Sequence, residues 1–288
     1  MPLPSQPGRR RVRAAFAALA ALAALVVLAA TAATAAKPTP LAVQEMGHGS
    51  PTIVLVHSIG GDRGDWSGVA PKLATRHRVL LVELPGHGQS PALTGPPTVW
   101  AVADALERTL AEYKVEKAIL VGHSYGALVV LEDAADHPKR AKGIVAVDAT
   151  TYTGADSDRI AEADKVLRER YPVFLSAVFP AMTKDATTAD SLLARANRVD
   201  ATLLAEYFRD SWREDLRPKI HAMKAPIHLV ATEALWPSAE SWTSARQRLG
   251  YATAGPAVGH RVVDSAHMIA MDQPDSLAAI IESVAANP

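Results

Sequence analysis

Ser124 sits between two glycines in Gly122-His123-Ser124-Tyr125-Gly126, directly after the apolar run Ala118-Ile119-Leu120-Val121. A serine hydroxyl is a weak nucleophile at neutral pH and needs a base to take its proton. An imidazole for that purpose, His267, occurs late in the chain in Asp264-Ser265-Ala266-His267. Two carboxylates follow apolar runs and are candidates to orient the ring: Asp148 after Gly143-Ile144-Val145-Ala146-Val147, and Glu233 after Ile227-His228-Leu229-Val230-Ala231-Thr232. Together these types point to acyl transfer. Ser124 Oγ attacks a carbonyl, His267 acts as base, and the acid holds the imidazole in the right tautomer. That chemistry needs no cofactor. The other nine histidines show no metal spacing such as His-Glu-x-x-His, so the sequence assigns no metal.

Such groups work only if the fold brings them to one edge. The run before Ser124 suits a parallel strand buried on both faces, and Tyr125 to Asp136 reads as a helix ended by His137-Pro138. A serine on a sharp strand-to-helix turn exposes its hydroxyl at the C-terminal edge of the sheet, beside the first backbone N–H of the helix, that of Tyr125. Further buried strands are expected at Thr52–Val56, Arg78–Val82, Gly143–Val147, Pro226–Ala231 and Ala257–Val263, and helices at Trp66–Thr75, Val99–Tyr113, Ser238–Leu249 and Ser276–Ala286. Asp148 falls at a strand tip, where open α/β sheets place their sites. Its structural reading is a carboxylate capping the next turn.

Four segments carry a likeness: His57-Ser58-Ile59-Gly60-Gly61, Glu83-Leu84-Pro85-Gly86-His87-Gly88-Gln89-Ser90, Gly122 to Gly126, and Ala266-His267-Met268-Ile269-Ala270-Met271-Asp272-Gln273-Pro274. In this order they resemble the α/β-hydrolase superfamily over about residues 41 to 288. The resemblance implies an α/β fold with a mostly parallel eight-stranded sheet flanked by helices. It also implies a helical cap inserted before the last two strands, here 150–223. The serine, acid and histidine would form a triad, with the N–H groups of Ile59 and Tyr125 as an oxyanion hole. Two positions depart from the family pattern: Ser58 replaces a usual glycine, and Glu83 a usual aspartate. A third departure bears on the chemistry, because Leu235 stands where the common Gly-x-x-Asp acid would fall. Asp148 is therefore the preferred acid and Glu233 the alternative.

Residues 150–223 lack apolar strand runs and read as helices. Within and just beyond them Phe179, Phe208, Trp212 and Trp236 are candidates to line a substrate pocket. The expected activity is cleavage of carboxylic esters. A lactonase, thioesterase or proline iminopeptidase would use the same triad, as would hydroxynitrile cleavage. A slow-turnover ligand-binding protein on this scaffold is the alternative from another class. A serine nucleophile argues against a haloalkane dehalogenase, which uses a carboxylate.

The first 36 residues carry Arg9, Arg10, Arg11 and Arg13, no acid, and an Ala/Leu/Val stretch, the layout of an export signal. Ala33-Thr34-Ala35 fits a small-x-small cleavage site, so the mature chain is expected to begin near Ala36 or Lys37, as one domain over 37–288. An uncleaved membrane anchor is the competing reading. Without this segment 26 basic residues face 30 acidic ones, a formal charge of −4. That balance gives no reason to expect nucleic acid as a partner, and the expected partner is a small ester-like molecule. The chain has no cysteine, which excludes disulfides and a thiol nucleophile. A periplasmic or secreted location is expected, with stability drawn from packing.

Overall fold

The computed structural model describes residues 39–288. The segment read from the sequence as an export signal lies outside them. Seven strands form one sheet in the order β1-β3-β2-β4-β5-β6-β7. They are β1 (Val43–Met46), β2 (Thr52–Val56), β3 (Val79–Val82), β4 (Ala118–His123), β5 (Ala141–Val147), β6 (Ile227–Thr232) and β7 (Ala257–Val262). All neighbours run parallel except β1, which pairs antiparallel with β3. Among the described residues the sheet has seven strands where eight were expected. The extra strand beyond those read from the sequence, β1, is a short edge strand whose Gln44 and Glu45 face solvent, so no apolar run announces it.

The central strands are buried on both faces, hence their continuous Ile/Leu/Val composition. On one face Ile53, Leu55, Val121 and Val145 pack with Trp66, Leu73, Leu277 and Ile281. On the other, Val54, Leu120 and Ala146 pack with Leu106, Leu110, Val129 and Leu131. The flanking helices are α1 (Ala70–Leu73), α2 (Val99–Glu112), α3 (Tyr125–Asp136) and, later in the chain, the closing helix Pro274–Ala286. The expected helix Trp66–Thr75 is instead a 3₁₀ turn, Arg63–Trp66, followed by α1. Pro71 sits in the first turn of α1, where its missing N–H costs nothing, and it cannot serve an interior turn of a longer helix.

Between β5 and β6 lie α4 (Ser157–Glu169), α5 (Tyr171–Val178), a 3₁₀ turn (Pro180–Met182), α6 (Ala186–Ala196), α7 (Ala201–Arg213) and α8 (Arg217–Ile220). Asp156, Asp185 and Asp200 cap α4, α6 and α7, each accepting a hydrogen bond from a first-turn N–H. Polar ties hold these helices to the sheet domain. Arg195 reaches Asp62 at 3.0 Å and Asp65 at 2.7 Å. Tyr207 donates to Pro85 O at 2.8 Å, and Asp210 accepts from both Tyr125 Oη and Val99 N at 2.8 Å. Burial pushes the Asp65 carboxyl up to about 7, against the pull of Arg195. After β6 come α9 (Trp242–Arg248), then α10 (Ile269–Asp272) and the closing helix α11 (Pro274–Ala286). Among the described residues no helix is long and apolar enough to cross a membrane.

Candidate active site

Ser124 ends β4 and precedes α3 with φ 53° and ψ −115°, a conformation L-residues avoid. Backbone strain of this kind costs on the order of 1–3 kcal/mol and persists only where neighbours impose it. Here Ser124 N donates to Val147 O at 2.9 Å, which extends the β4–β5 ladder past the strand. Strand and helix also meet too closely for side chains, since a Cβ on Gly122 would lie 2.1 Å from Gly126 O. The two flanking glycines thus allow the bend that turns the hydroxyl toward the cavity.

Asp148 follows β5 with φ 45°, its N–H donating to Val230 O at 2.7 Å. Its Oδ1 accepts from both Thr232 N and Thr232 Oγ1 at 2.9 Å, and its Oδ2 accepts from His267 Nδ1 at 2.7 Å. A ring that donates from Nδ1 leaves Nε2 as the acceptor, the tautomer a general base requires. Thr232 was invisible in the sequence as a partner, because only the lateral pairing of β5 with β6 brings it beside Asp148. Glu233 is exposed at the tip of β6, and among the described residues no hydrogen bond joins it to the ring.

The His267 loop is held on several sides. His123 Nε2 donates to His267 O at 2.9 Å, Met268 N donates to Met182 O at 2.7 Å, and Asp272 accepts from Ala266 N at 2.8 Å. Ser124 and His267 share one cavity of about 300 Å³ with Ile59, Tyr125 and Asp148. Among the described residues no hydrogen bond joins the serine hydroxyl to the ring. Such contacts often tighten only when substrate binds.

Tyr125 N–H opens α3 and therefore lacks an intrahelical acceptor. Ile59 N–H makes no backbone hydrogen bond either, while its neighbours Gly60 and Gly61 are engaged. Two buried imidazoles shape this loop. His57 donates from Nδ1 to Ser58 O at 2.8 Å and accepts Leu84 N–H on Nε2 at 3.0 Å. His87 donates to Pro85 O and accepts Gly60 N–H at 3.0 Å. Burial pushes His57 down to about 4, and burial with the neighbouring His57 ring pushes His87 down to about 3. A ring with a depressed folded pKa stabilises the fold above the unfolded value of 6.5, and that stability is lost as pH falls toward 4 and then 3. Each ring that stays neutral in the fold while it would protonate in the unfolded chain costs about 1.4 kcal/mol of stability per pH unit below 6.5. Thermal unfolding should therefore show Tm falling steeply below pH 6, and His87→Gln should flatten that fall. An unchanged Tm from pH 7 to 4 would contradict this account.

Of the four aromatic residues expected to line the pocket, Phe208 and Trp212 do so. Phe179 and Trp236 do not. Phe179 packs behind the Gly60 turn, where a Cβ on that glycine would lie 2.5 Å from its ring. Trp236 is sandwiched against Trp242 and the Arg261 guanidinium, its Nε1 donating to Glu240 O. Met182, Tyr152, Leu235 and Glu214 take part in the wall instead. Of the two early departures, Ser58 lines the cavity, whereas the Glu83 carboxylate accepts Gln89 N–H at 2.7 Å within its own loop.

Residues 51–252 match the model of the alpha/beta hydrolase fold family. A pimeloyl-[acyl-carrier protein] methyl ester esterase of Edwardsiella ictaluri is 27% identical over 194 residues, 62% of this chain and 73% of that protein. The enzyme of the same name from Chromobacterium violaceum is 41% identical over 107 residues, 37% of this chain and 40% of that protein. In fold, the chain is similar to the enol-lactonase from Burkholderia xenovorans LB400, with a TM-score of 0.73 at 20% identity over 85% of this chain and 95% of that one. It is likewise similar to an esterase from Exiguobacterium antarcticum, with a TM-score of 0.75 at 13% identity over 86% and 96% of the two chains. With the sheet, the strained turn and the matched family model agreeing, this chain belongs to the α/β-hydrolase fold family.

Proposed function

We propose that this protein is an exported serine hydrolase that cleaves small carboxylic esters through an acyl-enzyme on Ser124. The observation that carries the reading is the 2.7 Å contact between His267 Nδ1 and Asp148, in a cavity that also holds Ser124. In this mechanism Ser124 Oγ gives its proton to His267 Nε2 as it attacks the ester carbonyl. Asp148 steadies the imidazolium, itself fixed by its two bonds from Thr232. The N–H groups of Ile59 and Tyr125 receive the oxyanion, each worth roughly 3 kcal/mol in comparable sites. His267 then protonates the leaving alcohol and activates the water that frees the acid. The ester-cleaving names of the relatives support the substrate class.

A cavity of about 300 Å³ is at the small end for ligand sites, and Phe208 and Trp212 face into it. A p-nitrophenyl ester series should therefore give the highest kcat/KM for acetate to butyrate and a fall of at least about tenfold by octanoate. Equal rates across the series would remove the pocket from the account, and no turnover of any member would remove the esterase reading. The same preparation tests export, since protein recovered outside the cytoplasm should have an intact mass that starts near Ala36 or Lys37.

A further inference from the structure

Some distance from the cavity, toward the far end of α3, three side chains with ligating atoms converge. Glu107 of α2 meets Asp133 of α3 and His137, the residue that ends α3. One ligand atom from each lies within 4.8 Å of the others. Asp133 and His137 are four residues apart, so the helix places them on one face. The Asp133 side chain is fully buried, at 0% exposure, and its carboxylate meets no donor group; it faces the Glu107 carboxylate, and burial together with that neighbour pushes it up to about 7. Glu107 Oε2 is equally unpartnered, while its Oε1 is taken by Arg140 Nη2. Two adjacent carboxylates with three buried oxygens that meet no donor are unstable unless something positive or a proton stands between them. Arg140 engages only one oxygen of the four.

We propose that Glu107, Asp133 and His137 form a structural site for a divalent transition-metal ion, zinc being the first choice. Two carboxylate oxygens and one imidazole nitrogen make a donor set that suits Zn²⁺, with bonds of about 2.0–2.2 Å and a water from the open His137 side completing the tetrahedron. Ligands around one such ion lie roughly 3.4 Å apart, so the observed spread closes with small side-chain rotations. The ion would pin the end of α3 to α2 and so brace the helix that begins at the Ser124 turn. The sequence concealed the set, because Glu107 stands 26 positions before Asp133. One arrangement competes: a proton shared between Glu107 and Asp133 would satisfy the same oxygens and leave His137 idle.

The test titrates the chelator-treated enzyme with Zn²⁺ alone, followed by calorimetry and Tm, and with Co²⁺, followed by visible absorption. One ion should bind per chain at a Kd of about 1 μM or tighter, raising Tm, with Co²⁺ giving ligand-field bands. His137→Gln and Asp133→Asn should each weaken binding at least about tenfold and remove the Tm response. Both variants keep side-chain size, and Asp133→Asn also relieves the carboxylate repulsion. His260→Gln controls for a second imidazole source, since His228 Nδ1 and His260 Nε2 lie 3.0 Å apart on β6 and β7. Loss of binding in that variant alone would put the metal at the histidine pair and overturn the proposal. Failure of the wild type to bind either ion would overturn it in favour of the shared proton.

Discussion

Ser124→Ala should lower kcat by about 10⁶-fold, to the level that binding and oxyanion stabilisation sustain alone. The loss should come with little change in Tm. Alanine keeps the Cβ that already occupies the positive-φ turn, and the Ser124 backbone bond to Val147 does not involve the hydroxyl. Labelling by a fluorophosphonate should vanish in parallel, since the probe reports a nucleophilic serine and not substrate binding. A variant that still labels, or that retains more than about one part in 10³ of the activity, would place the nucleophile elsewhere.

The second large effect belongs to the orienting acid. Asp148→Asn should cost about 10⁴-fold in kcat, whereas Glu233→Gln should stay within about twofold. The asymmetry follows from Thr232. Its N–H and hydroxyl both donate to Asp148 Oδ1, so in the variant the amide oxygen keeps that place and the NH₂ turns toward His267 Nδ1. The ring must then accept at Nδ1 and carry its proton on Nε2, the wrong tautomer for taking a proton from serine. Glu233 has an exposed side chain, and among the described residues no hydrogen bond joins it to the ring. Should the ranking reverse, the role passes to Glu233 and the strand-tip pairing becomes a structural one.

Fold class and the strand-turn-helix around Ser124 were legible because they are local. The apolar run of β4, the two glycines and the helix from Tyr125 to Asp136 are contiguous, and the helix forms over the residues expected. Periodicity was less informative where packing overrides it. The helix expected from Trp66 begins only at Ala70, with Pro71 in its first turn, and β1 pairs at the sheet edge without an apolar signature. The pocket was the least legible part. Phe179 and Trp236 have the composition of pocket residues, but one fills the space behind a glycine turn and the other packs on Arg261.

The sequence by itself determined the residue types available for chemistry, the strands that carry them and their order along the chain. It left the acid open, because Asp148 and Glu233 both end buried strands. Only tertiary structure distinguishes their surroundings: parallel pairing of β5 with β6 sets Asp148 between Thr232 and His267 and leaves Glu233 in solvent. The physical reason is that hydrogen bonding and burial depend on which strands lie side by side, and that adjacency is settled by packing across the whole sheet.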